Sequence, residues 1–379
     1  MSNDVVLSQI VLTDEQVQEF VENGVLVVDN ILTKSEVNVA VDGLSQTLAR
    51  HGVDTGNLGG TGHALRHLSS TNGSGGVLDI FYEDWKMAIA SNPRLFRATA
   101  QLWDAAYCHE GEQKEDLSRE DFSKWHPYGA FELNRGLMYV DRVGYRLPTA
   151  MAEKIGKELG GDQPSGNNKK KAKPLQRSLT PHLDCCPETI FSENKSKWRP
   201  IQCFVSLTTN LEPNTGGFEA APGFHREFEE WAANRPPSVF SKKINGVVQE
   251  TAVPAPCLGE YSHMRPREDS EIMKRVRHIP VRAGSAVFWD NRIPHANAYR
   301  NDADQTRAVV YCSFLPDVLV NRPYVEDQLR KYLKRVNPSD QWIYASKGED
   351  TDETDNDLPD DSNLSLLGRK LLGVDAWNR

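Results

Sequence analysis

The sequence predicts a mainly β protein with flanking helices, in which short antiparallel strands form a barrel or sandwich such as a jelly roll. From about residue 137 the chain is a series of short segments rich in β-branched and aromatic residues, separated by Gly, Pro and Asn. Before that point, apolar residues recur at helical spacing instead. The 379 residues, 39% of them hydrophobic, are enough to bury a substantial core without help from disulfides.

The first elements are predicted to be a helix, a strand and a second helix. Thr13 begins a capping-box pattern for the first helix, and residues 25–28 (VLVV) have the composition of a strand. Thr33 and Glu36 repeat the capping box before an apolar stripe at helical spacing. The stripe consists of Val37, Val41, Leu44 and Leu48.

The next segments alternate between loop and helix before the strands begin. Residues 53–75 are rich in Gly, Ser, Thr and His and are expected to form a long loop. Residues 92–107 show helical spacing again. The predicted strands that follow lie in LMYVDRVGYRLP, RSLTPHLD, IQCFVSL, GFEAA, RHIPV, SAVFW and RAVVYCSFLP.

The change of pattern predicts three parts of the chain. We expect a helix-rich region over 1–135 that packs on the core, and a β core over 136–320 with an insertion at 226–277. A helical and acidic tail would follow over 321–379, in which the acidic stretch 348–363 has the composition of a flexible linker.

Composition excludes several classes of partner. The net charge of −9 argues against nucleic-acid binding, and the basic cluster at 169–173 is typical of a solvated loop. No apolar run is long enough for a membrane helix, and the first residues lack the pattern of a signal or transit peptide. The expectation is a cytoplasmic monomer or homodimer that acts on a small molecule. Its six scattered cysteines would be reduced.

A metal site is the most specific chemical signal in the sequence. His182 and Asp184 lie one residue apart in TPHLD, so in a strand both would point to the same face. His295, after the predicted strand SAVFW, can supply a third ligand. Two histidines and one carboxylate suit non-haem Fe(II) and leave three positions for a cosubstrate and dioxygen. Twelve residues later, Arg307 would need an anion if buried, which a dicarboxylate cosubstrate could provide.

Three other functions could use some of the same residues. Cys185 and Cys186 could bind zinc, but adjacent cysteines on a strand point to opposite faces, and the sequence has no spaced partner pair. A metal-dependent hydrolase lacks a general base beside the triad in the sequence. A non-catalytic, cupin-like protein that binds a metal or a small molecule remains an alternative.

Several segments resemble the phytanoyl-CoA dioxygenase family of Fe(II)- and 2-oxoglutarate-dependent oxygenases. They are residues 12–37, the TPHLD motif, residues 204–225, and GSAVFWDNRIPHANAYRND with the TRAVVYCSFLP that follows it. The resemblance implies a double-stranded β-helix core, the cupin-like jelly roll, flanked by helices. It also implies roles for individual residues: iron binding by His182, Asp184 and His295, and 2-oxoglutarate binding by Arg307 and Thr180.

The implied activity is oxidation of an unactivated C–H bond with Fe(II), 2-oxoglutarate and O2. Hydroxylation is the default, with desaturation or oxidative cyclisation as variants. Asp184 disfavours halogenation, because related halogenases replace this carboxylate with a small residue. Arg142, Tyr145 and Arg146 precede the TPHLD strand, where relatives line the pocket, and would suit an anionic substrate. The alternative is that both arginines are surface charges.

Overall fold

The fold is described from a computed structural model of the protein. For residue 160 and the segments 238–244 and 247–253 only the backbone is described. The basic residues 169–171 and nearly all of the acidic stretch lie outside the described part of the chain. That part consists of residues 10–107, 132–160, 173–187, 190, 197–235, 238–244, 247–253, 261–338 and 363–377.

The predicted helix, strand and helix at the start of the chain are confirmed. They are α1 (Asp14–Asn23), β1 (Val25–Val28) and α2 (Lys34–Arg50). Each helix begins with a complete capping box, in which the side chain of Thr13 or Thr33 accepts a bond from the amide three residues later. Two of the four free amides at each helix start are thereby satisfied by local sequence alone.

The predicted loop at 53–75 is partly helical. It contains α3 (Leu58–Thr61) and a 3-10 helix over Gly62–Leu68. The side chain of Asn57 accepts a hydrogen bond from the amide of Gly60 and so starts this turn, a capping role that a reading by composition overlooks.

The other helices surround the sheets. These helices are α4 (Asp84–Ala90), α5 (Pro93–Tyr107), α6 (Thr149–Gly160), α7 (Phe228–Ala233), α8 (Ser270–Met273), α9 (Arg322–Leu333) and α10 (Leu366–Leu372), with 3-10 helices at Phe224–Arg226 and Leu319–Asn321. The helix predicted at 92–107 is confirmed as α5.

The strands form two antiparallel sheets and a hairpin. The strands after β1 are β2 (Val77–Leu78), β3 (Gly136–Arg146), β4 (His182–Leu183), β5 (Ile201–Ser206), β6 (Phe218–Ala220), β7 (Ser238–Ile244), β8 (Val247–Val253), β9 (Ser262–His263), β10 (Arg277–His278), β11 (Ala286–Asp290), β12 (His295–Asn297) and β13 (Arg307–Pro316). The larger sheet has the order β1-β11-β5-β13-β3-β2, the smaller one has the order β10-β6-β12-β4-β9, and β7 pairs with β8.

The larger sheet is buried on both faces, and alternation along its strands divides the core in two. In β11, Ala286 and Phe288 belong to a cluster that also contains the helices, whereas Val287 and Trp289 belong to a second cluster. This second cluster contains side chains of both sheets, among them Phe218 of the smaller one. The sheets therefore enclose their own apolar layer, on which the site is built.

The N-terminal and C-terminal parts of the described chain both contribute to the larger sheet, as edge strands and as a helix packed on its face. The edge strands β1 and β2 come from the N-terminal part of the chain, and α10 contacts β3 from the helix side. The helix-side cluster joins Leu44, Met138 and Leu371, so it spans all three parts expected from the sequence. No helix in the described residues is long and apolar enough to cross a membrane.

Candidate metal centre and its cavity

The structure brings His182, Asp184 and His295 together on the smaller sheet. The two histidines lie directly opposite each other on β4 and β12, and Asp184 follows the end of β4. Nε2 of His182 is 3.5 Å from one carboxylate oxygen of Asp184, and Nε2 of His295 is 3.4 Å from the other. A ligand atom from each lies within 4.8 Å of the other two.

Both imidazole rings are oriented by backbone carbonyls. Nδ1 of His182 lies 3.1 Å from the carbonyl oxygen of Thr180, and Nδ1 of His295 lies 2.9 Å from that of Ile293. Because a carbonyl can only accept, each Nδ1 carries the hydrogen, and Nε2 is the nitrogen that each ring can offer to a metal. This tautomer, fixed by a second hydrogen bond, is the one found in metal-binding histidines.

The protonation states also suit a cation. Burial, with help from the neighbouring His295, lowers the pKa of His182 to about 4. Burial alone would raise the pKa of Asp184, but the two histidines and Arg199 outweigh it and hold that pKa below its usual value. A neutral imidazole and an ionised carboxylate are the forms that bind metal.

Aromatic side chains surround the centre. The Tyr261 ring lies 4.6 Å from that of His182, while Trp289 and Phe218 lie 5.1 Å and 5.8 Å from His295. These distances are between ring centroids. The rings limit the access of water and lower the local dielectric constant, which strengthens electrostatic interactions at the triad.

Arg307 is buried and only partly hydrogen-bonded. It is 1% exposed, its guanidinium lies 5.1 Å from the ring centre of Phe204, and Nη1 donates to Oδ1 of Asn297 at 2.8 Å. Nη2 has no hydrogen-bond partner in the described part of the structure. Asn297 was not identified from the sequence, although it lies two residues after His295 on one strand and thus on the same face.

The other predicted site residues occupy different environments. Arg142 lines a cavity beside the triad, as does Thr180, and Nε of Arg142 donates to Asp79 at 2.7 Å. Tyr145 belongs to the helix-side core, while Arg146 donates to two backbone carbonyls and lies outside the cavity lining. The register of β3 against β13 shifts near Arg142. Because of this irregularity the Arg142 side chain lies on the cavity side of the sheet, although strict alternation from Tyr139 would place it on the opposite face.

This cavity has a volume of about 550 Å³ and contains the triad in its wall. Two cations in its lining, Lys197 and Arg199, were not singled out from the sequence. They precede β5 in KWRPIQCF, and a basic pair before an apolar strand is the signal that could have revealed them. Gln202 and Ser313 also line the cavity, and their contribution depends on strand register, which the sequence does not show.

The cysteines next to the motif are not part of the triad. Cys185 is buried in the core between the sheets. Cys186 is disulfide-bonded, which corrects the expectation of a reduced thiol at this position, whereas Cys203 and Cys312 are thiols as expected.

One protein-family model matches part of the chain. Residues 192–373 match the Gig2-like family model. The Gig2-like segment contains His295 and Arg307, whereas TPHLD lies before it. No curated protein matches the sequence. The resemblance to the phytanoyl-CoA dioxygenase family stays a prediction.

Solved structures share the fold of this chain. GIG2 (DUF1479), the product of GlcNAc Inducible Gene 2 from Candida albicans, is 15% identical with a TM-score of 0.65, and the match covers 97% of this chain and 78% of that one. The hypothetical protein JW0805 from Escherichia coli, at high pH, is 14% identical with a TM-score of 0.61, covering 96% and 82%. A weaker likeness, with 13% identity and a TM-score of 0.42, is to the non-heme alpha ketoglutarate dependent carbocyclase SnoK from nogalamycin biosynthesis, covering 80% and 84%.

Proposed function

We propose that the protein is an Fe(II)- and 2-oxoglutarate-dependent dioxygenase that oxidises an unactivated C–H bond of a small molecule, by hydroxylation. One observation carries the proposal: two imidazoles with anchored Nδ1 atoms and one carboxylate converge in the wall of a cavity. Among the described residues this group has three members, so an octahedral ion would keep three positions for other ligands.

We also propose that the two sheets form a double-stranded β-helix. Its support is the antiparallel pairing throughout both sheets and the apolar layer between them. The triad lies on the smaller sheet and Arg307 on the larger one, so the two sheets contribute different parts of one site.

The residues present fit the proposed metal and cosubstrate. His182, Asp184 and His295 would hold the iron, since nitrogen and carboxylate donors in this number suit Fe(II). Arg307 would bind the distal carboxylate of 2-oxoglutarate, because its buried Nη2 lacks a partner in the described structure. Thr180 lines the cavity next to the triad and would contact the cosubstrate. With dioxygen, this group supplies an oxidant able to remove hydrogen from an unactivated C–H bond.

The protein's own residues bind, orient and exclude water. The carbonyls of Thr180 and Ile293 orient the imidazoles so that each would offer its Nε2 to a metal. Asn297 fixes the direction of the Arg307 guanidinium. The aromatic rings beside the histidines limit the entry of water, which protects a reactive site from unproductive reactions.

The direct test is anaerobic addition of Fe(II) and 2-oxoglutarate to the full-length protein. We expect a visible metal-to-ligand charge-transfer band and, after exposure to air, formation of succinate. The Asp184→Ala variant should lose the band because it loses a ligand, whereas Asp302→Ala, on the surface, should retain it.

The outcomes separate the proposed function from its alternative. Absence of the band and of succinate in the wild-type protein would refute the oxygenase. Metal binding by His182, Asp184 and His295 without any cosubstrate turnover would instead support a non-catalytic, cupin-like binding protein.

A further inference from the structure

We propose that the substrate is an organic anion, a carboxylate or phosphate, whose charged group binds at an anion subsite formed by Lys197, Arg199, Tyr139 and Tyr324. That this anion is a substrate rests on the proposed function, whereas its binding at the subsite does not. All four side chains line the cavity that contains the triad. The inference rests on the charge of the cavity, the arrangement of these cations, and buried donors without a partner on two residues that line the cavity.

Among the described residues that line the cavity, cations outnumber carboxylates. This holds even though the whole chain carries a net charge of −9. Of the described carboxylates nearby, Asp79 is ion-paired with Arg142, Asp141 is ion-paired with Arg199 at 3.5 Å, and Asp184 belongs to the triad. A divalent metal on the triad would make the excess larger. The cations in the described lining are Arg142, Arg177, Lys197 and Arg199.

The two cations of the subsite are held on stacked rings. Tyr139 and Tyr324 stack with ring centres 5.4 Å apart and planes 13° apart. The guanidinium of Arg199 lies 4.1 Å from the centre of the Tyr139 ring, and Nζ of Lys197 lies 4.9 Å from that of Tyr324. Both cations are at least nine-tenths buried. Burial removes part of their hydration, so an anion entering the cavity gains charge-assisted hydrogen bonds with groups that are already in place.

One lateral row of side chains continues from the subsite towards the triad. Strand register places Trp289, Gln202, Ser313 and Tyr139 side by side across β11, β5, β13 and β3. All four line the cavity. The side-chain nitrogens of Gln202 and Trp289 are buried and have no hydrogen-bond partner in the described part of the molecule. Because both are donors, they favour a ligand that presents acceptor oxygens towards the triad.

The anion subsite is distinct from the position proposed for 2-oxoglutarate. Arg307 begins β13, and Ser313 of the lateral row lies six residues later on the same strand. At about 3.3 Å per residue, the two positions are separated by roughly 20 Å along the sheet. A substrate anion at the subsite would therefore not occupy the position proposed for the distal carboxylate of 2-oxoglutarate.

The experiment is calorimetric titration of the full-length, metal-free protein with three probes that share a phenyl group. Two are anions, 3-phenylpropionate and phenyl phosphate, and one is neutral, 3-phenyl-1-propanol. We expect at least one anion to bind about tenfold or more tightly than the alcohol, equivalent to about 1.4 kcal/mol. In Lys197→Gln and Arg199→Gln this preference should fall below about twofold, because each substitution removes a charge from the subsite.

Controls separate the subsite from general charge effects. Arg199→Lys retains the charge and should keep most of the preference, and Arg282→Gln, an exposed surface cation, should keep all of it. Arg307→Gln should bind the probe as the wild-type protein does. If a subsite variant fails to fold, the wild-type protein and Arg307→Gln carry the test, since both should bind an anion more tightly than the alcohol.

Three results would overturn the proposal. The first is equal binding of anions and alcohol. The second is failure of all three probes to bind at about 10 mM, which corresponds to a binding free energy of about 2.7 kcal/mol. The third is loss of probe binding in Arg307→Gln. Because these titrations use metal-free protein, none of the three results decides whether the protein is an oxygenase. That question is tested separately, by the addition of Fe(II) and 2-oxoglutarate.

Discussion

His182 shows how one residue connects burial with ligand chemistry. It lies opposite His295 on the neighbouring strand and beside the ring of Tyr261, and its Nδ1 is bonded to a backbone carbonyl. Burial keeps the imidazole neutral, which is the form that can bind a metal, but it makes protonation costly in the folded state. The same feature that suits the site therefore makes the protein sensitive to acid.

The metal-free protein should lose stability as the pH falls from about 6.5 to 4. His182 has a pKa of about 4 in the fold, against about 6.5 in an unfolded chain, so the unfolded state binds more protons across this window. Between pH 6.5 and 4.5 this single residue should cost about 2 kcal/mol of unfolding free energy. Urea unfolding of wild type and His182→Gln, with metal removed, measures the difference.

The variant should lose about 2 kcal/mol less than the wild type over that interval. Between pH 8 and 9 the two proteins should change in parallel, because His182 is neutral in both states there. Equal losses at acid pH would show that His182 is not protonated preferentially on unfolding. The pKa values of His225, His263 and His278 are also lowered by burial, so a residual slope is expected in both proteins.

Residues of the site differ in how far the sequence reveals them. His182 and Asp184 belong to a short motif, and His295 and Arg307 follow recognisable strands, so the sequence alone selects them. Gln202 lies in no comparable motif, because its position in the cavity depends on pairing between β5 and β13, a strand about 110 residues away. Strand register across the sheet is non-local information that a single sequence does not contain.

At the scale of elements, local capping decides where helices begin. In α2, Oγ1 of Thr33 accepts from the amide of Glu36 at 3.3 Å, and the Glu36 carboxylate accepts from the amide of Thr33 at 2.6 Å. We expect Thr33→Ala to lower the unfolding free energy by about 1 kcal/mol, because it leaves an amide at the helix start without its partner. Chemical denaturation at constant m-value would measure this loss.

Val39→Ala is the matched control within α2. Val39 is 62% exposed, so its truncation removes little buried surface and should change stability by less than about 0.5 kcal/mol. Equal effects of the two substitutions would mean that the capping box does not contribute to the stability of the folded protein.

The elements predicted best are those with such local signals. Two helices with capping boxes and the strand between them match closely, whereas β4 has two residues and β12 three. Strands of that length have too few side chains to show alternation, and they form only because neighbouring strands supply hydrogen-bond partners. The two histidines of the triad lie on these short strands and Asp184 follows one of them, so the sheet around them, rather than local propensity, holds the triad in place.

At the scale of the whole molecule, the cavity depends on packing behind the sheet. The strand β3 carries Tyr139 on the cavity side, and α10 contacts β3 from the helix side. Nε1 of Trp377, just after α10, donates to the carbonyl of Gly136 at the start of β3. The C-terminal helix therefore supports a strand that lines the site, although it lies more than 180 residues from TPHLD in the sequence.

Leu371→Ala should accordingly destabilise the whole protein. Leu371 is fully buried in the helix-side core, and truncation of a buried leucine costs about 2–5 kcal/mol through lost burial and the cavity left behind. Leu366 begins the same helix and is 66% exposed, so Leu366→Ala should cost less than about 0.5 kcal/mol. Thermal and urea unfolding of the two variants would compare them directly. Similar stabilities would show that α10 is not docked on β3, and the support we infer for the cavity wall would be lost with it.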